Sequence, residues 1–181
     1  HYPNTEAMVL KDMCFRIEKG HHYAFVGRNG CGKSSLLKLL IGQPIAHTGT
    51  LEIGSRLTVS YVPQDMSFLS GSADDFAAES EIDITLFKTI LRKLDFKRTQ
   101  FTKDMSEFSM GQKKKVLLAR SLCQRANLYI WDEPLNYIDV ISRLQIETLI
   151  LEYKPTMLFV EHDEAFVNDI ATKVCRISLN Q

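Results

Sequence analysis

Gly27-Arg28-Asn29-Gly30-Cys31-Gly32-Lys33-Ser34 decides the reading of this chain, because it matches the pattern GxxxxGK[ST]. Glycines let the backbone curl so that successive N–H groups point inward at a polyphosphate, and the helix opening at Lys33 adds its positive end. In such a loop the Lys33 ammonium reaches the β- and γ-phosphates of a nucleotide, and the Ser34 hydroxyl ligates Mg²⁺. Gly27, Asn29, Gly30, Cys31, Gly32 and Ser35 complete the candidate nucleotide contacts. The mechanism requires a strand before the loop and a helix after it. Tyr23 to Val26 is an apolar run, and Leu36, Leu37, Leu39 and Leu40 recur at helical spacing until Gly42, with Pro44 just beyond.

Outward from that loop, short β-rich runs alternate with longer helical patterns, which predicts an α/β domain with a largely parallel sheet. Val9-Leu10 and Cys14 to Ile17 read as strands. Leu51 to Ile53 and Leu57 to Val62 read as a hairpin joined through Gly54-Ser55. The stretch from about residue 65 to 107 changes character, with an acidic, Ser-rich opening and then Leu86, Phe87, Ile90, Leu91 and Leu94 on one helical face; it reads as a small helical subdomain. Helices are expected over Lys113 to Gln124, Ser142 to Tyr153 and Glu164 to Ala171, and strands over Leu128 to Trp131 and Met157 to Val160.

Composition narrows the function classes. The chain has 181 residues, 45% hydrophobic and 24% charged, with a formal net charge of +0. That suits a single domain with a proper buried core and argues against a free-standing nucleic-acid binder, which usually carries a basic excess. No uninterrupted apolar run exceeds four residues, so no segment is expected to enter a membrane. The four cysteines, Cys14, Cys31, Cys123 and Cys175, lie far apart and read as reduced thiols of a cytoplasmic protein. The chain opens at His1 without a methionine, which reads as a piece of a longer protein. Met8, Met13, Met66 and Met105 show no helical spacing and read as packing.

A second chemical element lies a hundred residues beyond the loop. Leu128-Tyr129-Ile130-Trp131-Asp132-Glu133 is an apolar strand ending in two carboxylates. In a nucleotide hydrolase this delivers Asp132 to the Mg²⁺ shell and leaves Glu133 to orient or deprotonate the attacking water.

The remaining motifs carry a resemblance. Phe108-Ser109-Met110-Gly111-Gln112 before a helix resembles the LSGGQ signature of the ATP-binding-cassette (ABC) ATPases, with Met110 in place of its first glycine. Gln64 in Tyr61-Val62-Pro63-Gln64 resembles the Q-loop, Leu135 to Asp139 the D-loop, and Glu161-His162-Asp163 the switch segment. The motifs stand in family order across the chain. The resemblance implies a P-loop NTPase fold of ABC type, with an antiparallel β subdomain, a small helical subdomain, and ATP and Mg²⁺ as ligands. It implies that Ser109, Gly111 and Gln112 close over the γ-phosphate held by a second ABC domain. It further implies that Asp139 sets that interface, Gln64 senses Mg²⁺ and water, and His162 bonds the γ-phosphate. Tyr2 holds the position of an aromatic that stacks on adenine or merely packs. A side chain at Met110 is expected to crowd the backbone's approach to phosphate.

Asp132 to Asp139, with its Asn136, is similar to the soluble ABC-F branch, in particular to the second ATPase domain of its ribosome-protecting, antibiotic-resistance subgroup. That implies a partner domain and ribosome binding through segments not present here. The alternative is the ATP-binding subunit of a membrane transporter, and a more distant one is a module that binds nucleotide without hydrolysis. The cluster Lys88, Arg92, Lys93, Lys97 and Arg98 reads as a solvated helix face, and Lys113-Lys114-Lys115 as cover for the exposed first turns of the signature helix.

Overall fold

A computed structural model describes residues 14–177. At its centre is a parallel sheet of β1 (His22–Val26), β2 (Val59–Val62), β3 (Leu128–Asp132), β4 (Met157–Val160) and β5 (Lys173–Arg176), in the order β2-β3-β4-β1-β5. Parallel strands need crossovers, and helices supply them: α1 (Lys33–Leu40), α2 (Ala73–Glu79), α3 (Ile84–Lys93), α4 (Met110–Cys123), α5 (Val140–Tyr153) and α6 (Glu164–Ile170). One-turn 3₁₀ segments at Arg98–Gln100 and Met105–Glu107 lead into α4.

Alternate residues of β1 serve opposite faces. Tyr23 and Phe25 join Leu36, Leu37 and Leu40 of α1, with Ile130, Leu158 and Val160, in one core layer. Ala24 faces the other layer, where Val62, Trp131, Met157 and Phe159 pack against α3, α4, α5 and α6. Phe159 is fully buried and stacks edge-on against Phe166 at 5.3 Å. Burying one such ring contributes about 1.5–3 kcal/mol, so sheet and helices are held from both sides. A chain of hydrogen bonds runs through this layer: the Trp131 indole donates to Ser121 Oγ at 2.9 Å, and Ser121 meets Ser60 Oγ at 2.7 Å.

Several expectations need correction. Cys14 to Ile17 forms no strand, and the hairpin between Leu51–Ile53 and Leu57–Val62 is absent. Residues 59–62 instead pair in parallel with β3, whose apolar edge buries Val62 completely. The first segments have no ladder partner among the described residues, and propensity without a partner does not make a strand. Val9-Leu10 lies outside the described residues. α2 arises inside the acidic opening because Ser72 caps it, accepting from the Asp75 N–H at 3.0 Å, while Ala73 and Ala77 are buried. Lys114 and Lys115 are not exposed cover but buried side chains of α4. The basic face of α3 is solvated as expected, with Lys88 paired to Asp74. Met66 and Met105 are buried packing residues.

Candidate functional site

All strands point the same way, so the segments following β1, β2, β3 and β4 emerge along one edge of the sheet. That edge collects the phosphate loop, Gln64, Asp132-Glu133 and Glu161-His162, which are far apart in sequence.

The loop after β1 is built by close contacts. A Cβ at Gly27 would sit 2.3 Å from the Ile177 carbonyl oxygen and 2.8 Å from Cys31 Sγ, so this position admits glycine alone. Gly32 adopts φ +94° and begins α1 with no side-chain cap and no acidic residue in its first turn. The leading amides of α1 are therefore not claimed by a capping side chain, as an anion site requires. Lys33 is buried, and its ammonium donates to the carbonyls of Gly27 at 2.8 Å and Arg28 at 2.9 Å. It lies folded into the loop that it would share with phosphate.

Asp132 is 2% exposed, and its Oδ1 has no hydrogen-bond partner. Burial pushes its carboxyl up and Glu133 adds to this; the Ser34 hydroxyl bond, Lys114 and Lys33 pull the other way without reversing it. A buried carboxylate oxygen left unpaired beside a serine hydroxyl fits a divalent cation with oxygen preference such as Mg²⁺.

Glu133 occupies a strained backbone position, φ +49°, at the exit of β3. Its Oε2 accepts from Gln64 Nε2 at 2.8 Å and from Asn136 Nδ2, and its Oε1 lies 3.6 Å from His162 Nε2. The three residues expected to act on the terminal phosphate, Gln64, Glu133 and His162, thus stand together. Behind them the Lys114 ammonium donates at 3.3 Å to the carbonyls of both Pro63 and Asp132. Burial lowers its pKa, against the opposing pull of Asp132, Glu133 and Glu161. Asn136, Lys114 and Glu161 were missed as site residues. Lys114 had a signal: it shares a helical face with Leu117, Leu118 and Ser121, all buried.

The signature segment forms the N-terminus of α4, with Ser109 as its cap. Ser109 Oγ accepts from the Gln112 N–H at 3.3 Å, and Gln112 Oε1 accepts from the Ser109 N–H at 2.9 Å, a reciprocal cap. A hollow of about 270 Å³ there is lined by Phe96, Ser109, Gly111, Gln112, Tyr137 and Asp139, among others. Asp139 caps α5 and pairs with Lys115 at 2.6 Å. Burial would raise its carboxyl, but Lys115 and the amide and hydroxyl of Ser142 outweigh that and hold it at about 2. Met110 is 45% exposed at the first position of the helix. The glycine that close packing demands is Gly111, where a Cβ would stand 2.5 Å from the Tyr137 carbonyl oxygen. Gly111→Ala is therefore expected to cost about 1–3 kcal/mol, read as a lower melting temperature, whereas Met110→Ala should leave stability within ~0.5 kcal/mol. Tyr2 lies outside the described residues.

Fold and site together define a P-loop nucleotide-binding domain of the α/β class. The chain belongs to the ABC transporter family of ATP-binding domains: the model of that family, described as ABC transporter, matches residues 10–136. Among curated relatives, YdiF of Bacillus subtilis is 35% identical over 177 residues, 94% of this chain and 27% of that protein. The ATP-binding protein Uup of Escherichia coli is 32% identical, over 95% of this chain and 28% of its own length. ABC transporter F family member 2 of Arabidopsis thaliana is 29% identical, over 95% and 26%. The resemblance to ABC-F ATP-binding proteins is thus upheld, and the chain spans less than a third of the length of these relatives. A solved complex of an archaeal ribosomal stalk protein with the archaeal ribosome recycling factor aABCE1 contains a domain of the same shape, with TM-score 0.73 and 28% identity over 88% of this chain and 32% of that one. An ATP-binding subunit of an ABC transporter aligns with TM-score 0.83 at 22% identity, over 96% of this chain and 82% of that one, and shows the fold alone. Among the described residues no helix is long and apolar enough to cross a membrane.

Proposed function

We propose that this domain binds Mg·ATP, pairs with a second ABC domain and hydrolyses the nucleotide. The observation that carries the reading is the meeting of Glu133 with Gln64 and His162 at the strand edge that also bears the phosphate loop. The loop amides and Lys33 bind the phosphates, with Gly27, Asn29, Gly30, Cys31, Gly32, Ser34 and Ser35 forming the cradle. Ser34, Asp132 and Gln64 would hold Mg²⁺, which when bound supplies charge neutralisation to the phosphates. Glu133 orients water in line with the terminal phosphorus and takes its proton. The new P–O bond forms as the bond to the ADP oxygen breaks, and the proton leaves with inorganic phosphate. His162 donates to a γ-phosphate oxygen as charge shifts toward the leaving group. Ser109, Gly111 and Gln112 face the nucleotide of the partner domain, with Asp139 at the interface. Residues 65–107 form a helical unit that leads into the signature helix bearing Ser109, Gly111 and Gln112.

The relatives favour the F branch, so we place the parent protein among cytoplasmic translation factors that act at the ribosome, with ribosome protection and antibiotic resistance as the finer reading. The structural neighbour, a ribosome recycling factor solved with a ribosomal stalk protein, supports the same direction. Because half of each composite site comes from a partner, phosphate release by this chain alone should be slow and rise more than linearly with protein concentration. Fast turnover strictly proportional to concentration would contradict the pairing.

A further inference from the structure

Glu161 is a carboxylate that the hydrolysis scheme leaves without a task, yet it is 4% exposed at the end of β4. Its charge is met by backbone. Oε2 accepts from the Leu135 N–H at 3.1 Å; Oε1 accepts from the His162 N–H at 2.8 Å and more weakly from the Asp163 N–H at 3.4 Å. One carboxylate therefore spans two loops, the segment after Glu133 and the segment carrying His162. These loops leave adjacent strands, since Asp132 pairs with Val160, and the Glu133 N–H donates to the Val160 carbonyl at 3.0 Å. A second tie runs parallel, from the Arg143 guanidinium of α5 to both oxygens of Asp163 at 2.7 and 2.9 Å.

We infer that Glu161 is a positioning residue for hydrolysis, clamping the Leu135 amide to the His162 amide so that Glu133 and His162 keep their mutual setting. The clamp acts through its neighbours. Leu135 adjoins Asn136, whose amide bonds Glu133 Oε2, and His162 approaches Glu133 Oε1 directly. A displacement on the order of 1 Å at a reacting group can cost about 100-fold in rate. Only an ionised or doubly accepting side chain serves, because every partner is an N–H donor. Glutamine has one acceptor, so its own NH₂ must face Leu135 or His162, donor against donor, and one amide is left unpaired.

The kinetic consequence rests on the proposed hydrolysis; the structural one does not. In the full chain, Glu161→Gln should lower kcat about tenfold or more while KM for ATP stays within about twofold, the pattern of an interaction realised in the transition state. Amide hydrogen exchange should show protection at Leu135 or His162 falling about tenfold, with β3 and β4 unchanged. Glu161→Asp, one methylene shorter, still reaches His162 but not Leu135, so only Leu135 should lose protection, with kcat falling as in the glutamine variant. If the glutamine variant fails to melt cooperatively, the aspartate variant carries the test. Wild-type kcat in both, or unchanged exchange at both amides, overturns the clamp. Should the wild-type chain hydrolyse no ATP, the functional reading fails, and the exchange contrast still decides whether Glu161 joins the two loops.

Discussion

Replacing Glu133 by glutamine is expected to abolish turnover while leaving ATP bound. The change is nearly isosteric, and the geometry shows why the fold should accept it. Gln64 Nε2 and Asn136 Nδ2 both donate to the same oxygen, Oε2, which an amide can still offer as its carbonyl. What disappears is the negative charge and the proton acceptor. Loss of a positioned general base costs about 10²–10⁴-fold in rate. Because the phosphate loop and the Ser34–Asp132 pair are untouched, nucleotide affinity should persist, and the ATP-loaded pair of domains should accumulate. Phosphate release and size-exclusion chromatography in Mg·ATP check the two halves. Unchanged hydrolysis would remove Glu133 from its assigned role.

Lys33→Ala is expected to have the largest effect on binding, with ATP affinity falling about 100-fold or more. Each charge-assisted hydrogen bond contributes about 1.5–3 kcal/mol, and 2.8 kcal/mol corresponds to roughly two decades in Kd. The ammonium also fastens its own loop through the Gly27 and Arg28 carbonyls, so alanine loosens the cradle as well as emptying it of charge. Titration with a fluorescent ATP analogue measures the loss, and a melting curve shows that the α/β core survives. A variant that binds with wild-type affinity would displace the phosphate site from this loop.

What could be read from the chain follows from the range of the forces involved. The loop Gly27–Ser34, the β1 and β4 strands and the helices α1, α3, α4 and α5 are specified by neighbours within a few residues, through glycine conformations, caps and apolar periodicity, and they stand close to where the pattern places them. The site partners Gln64, Glu133 and His162 were recognisable from motif order, and the parallel sheet explains their meeting. The failures are non-local. Whether Leu51–Ile53 becomes a strand depends on a partner segment, and β5, an edge strand with Lys173 and Arg176 exposed, shows no apolar run. Lys114 looked like one of three solvated lysines, because its burial depends on the Pro63 and Asp132 carbonyls, 51 and 18 residues away. The Glu161–Leu135 contact likewise spans 26 residues and follows from strand adjacency alone.

The tight seat of Gly111 against Tyr137, set beside the outward-facing Met110, leaves a free place for a reporter. With the exposed Cys14 replaced, a dye coupled through a cysteine introduced at position 110 would sit between Ser109 and Gly111, which line the hollow, without touching the contact that holds the signature helix to the loop beside it. Its emission would follow the arrival and departure of the neighbouring domain in real time, turning the substitution that breaks the LSGGQ pattern into a window on the working cycle.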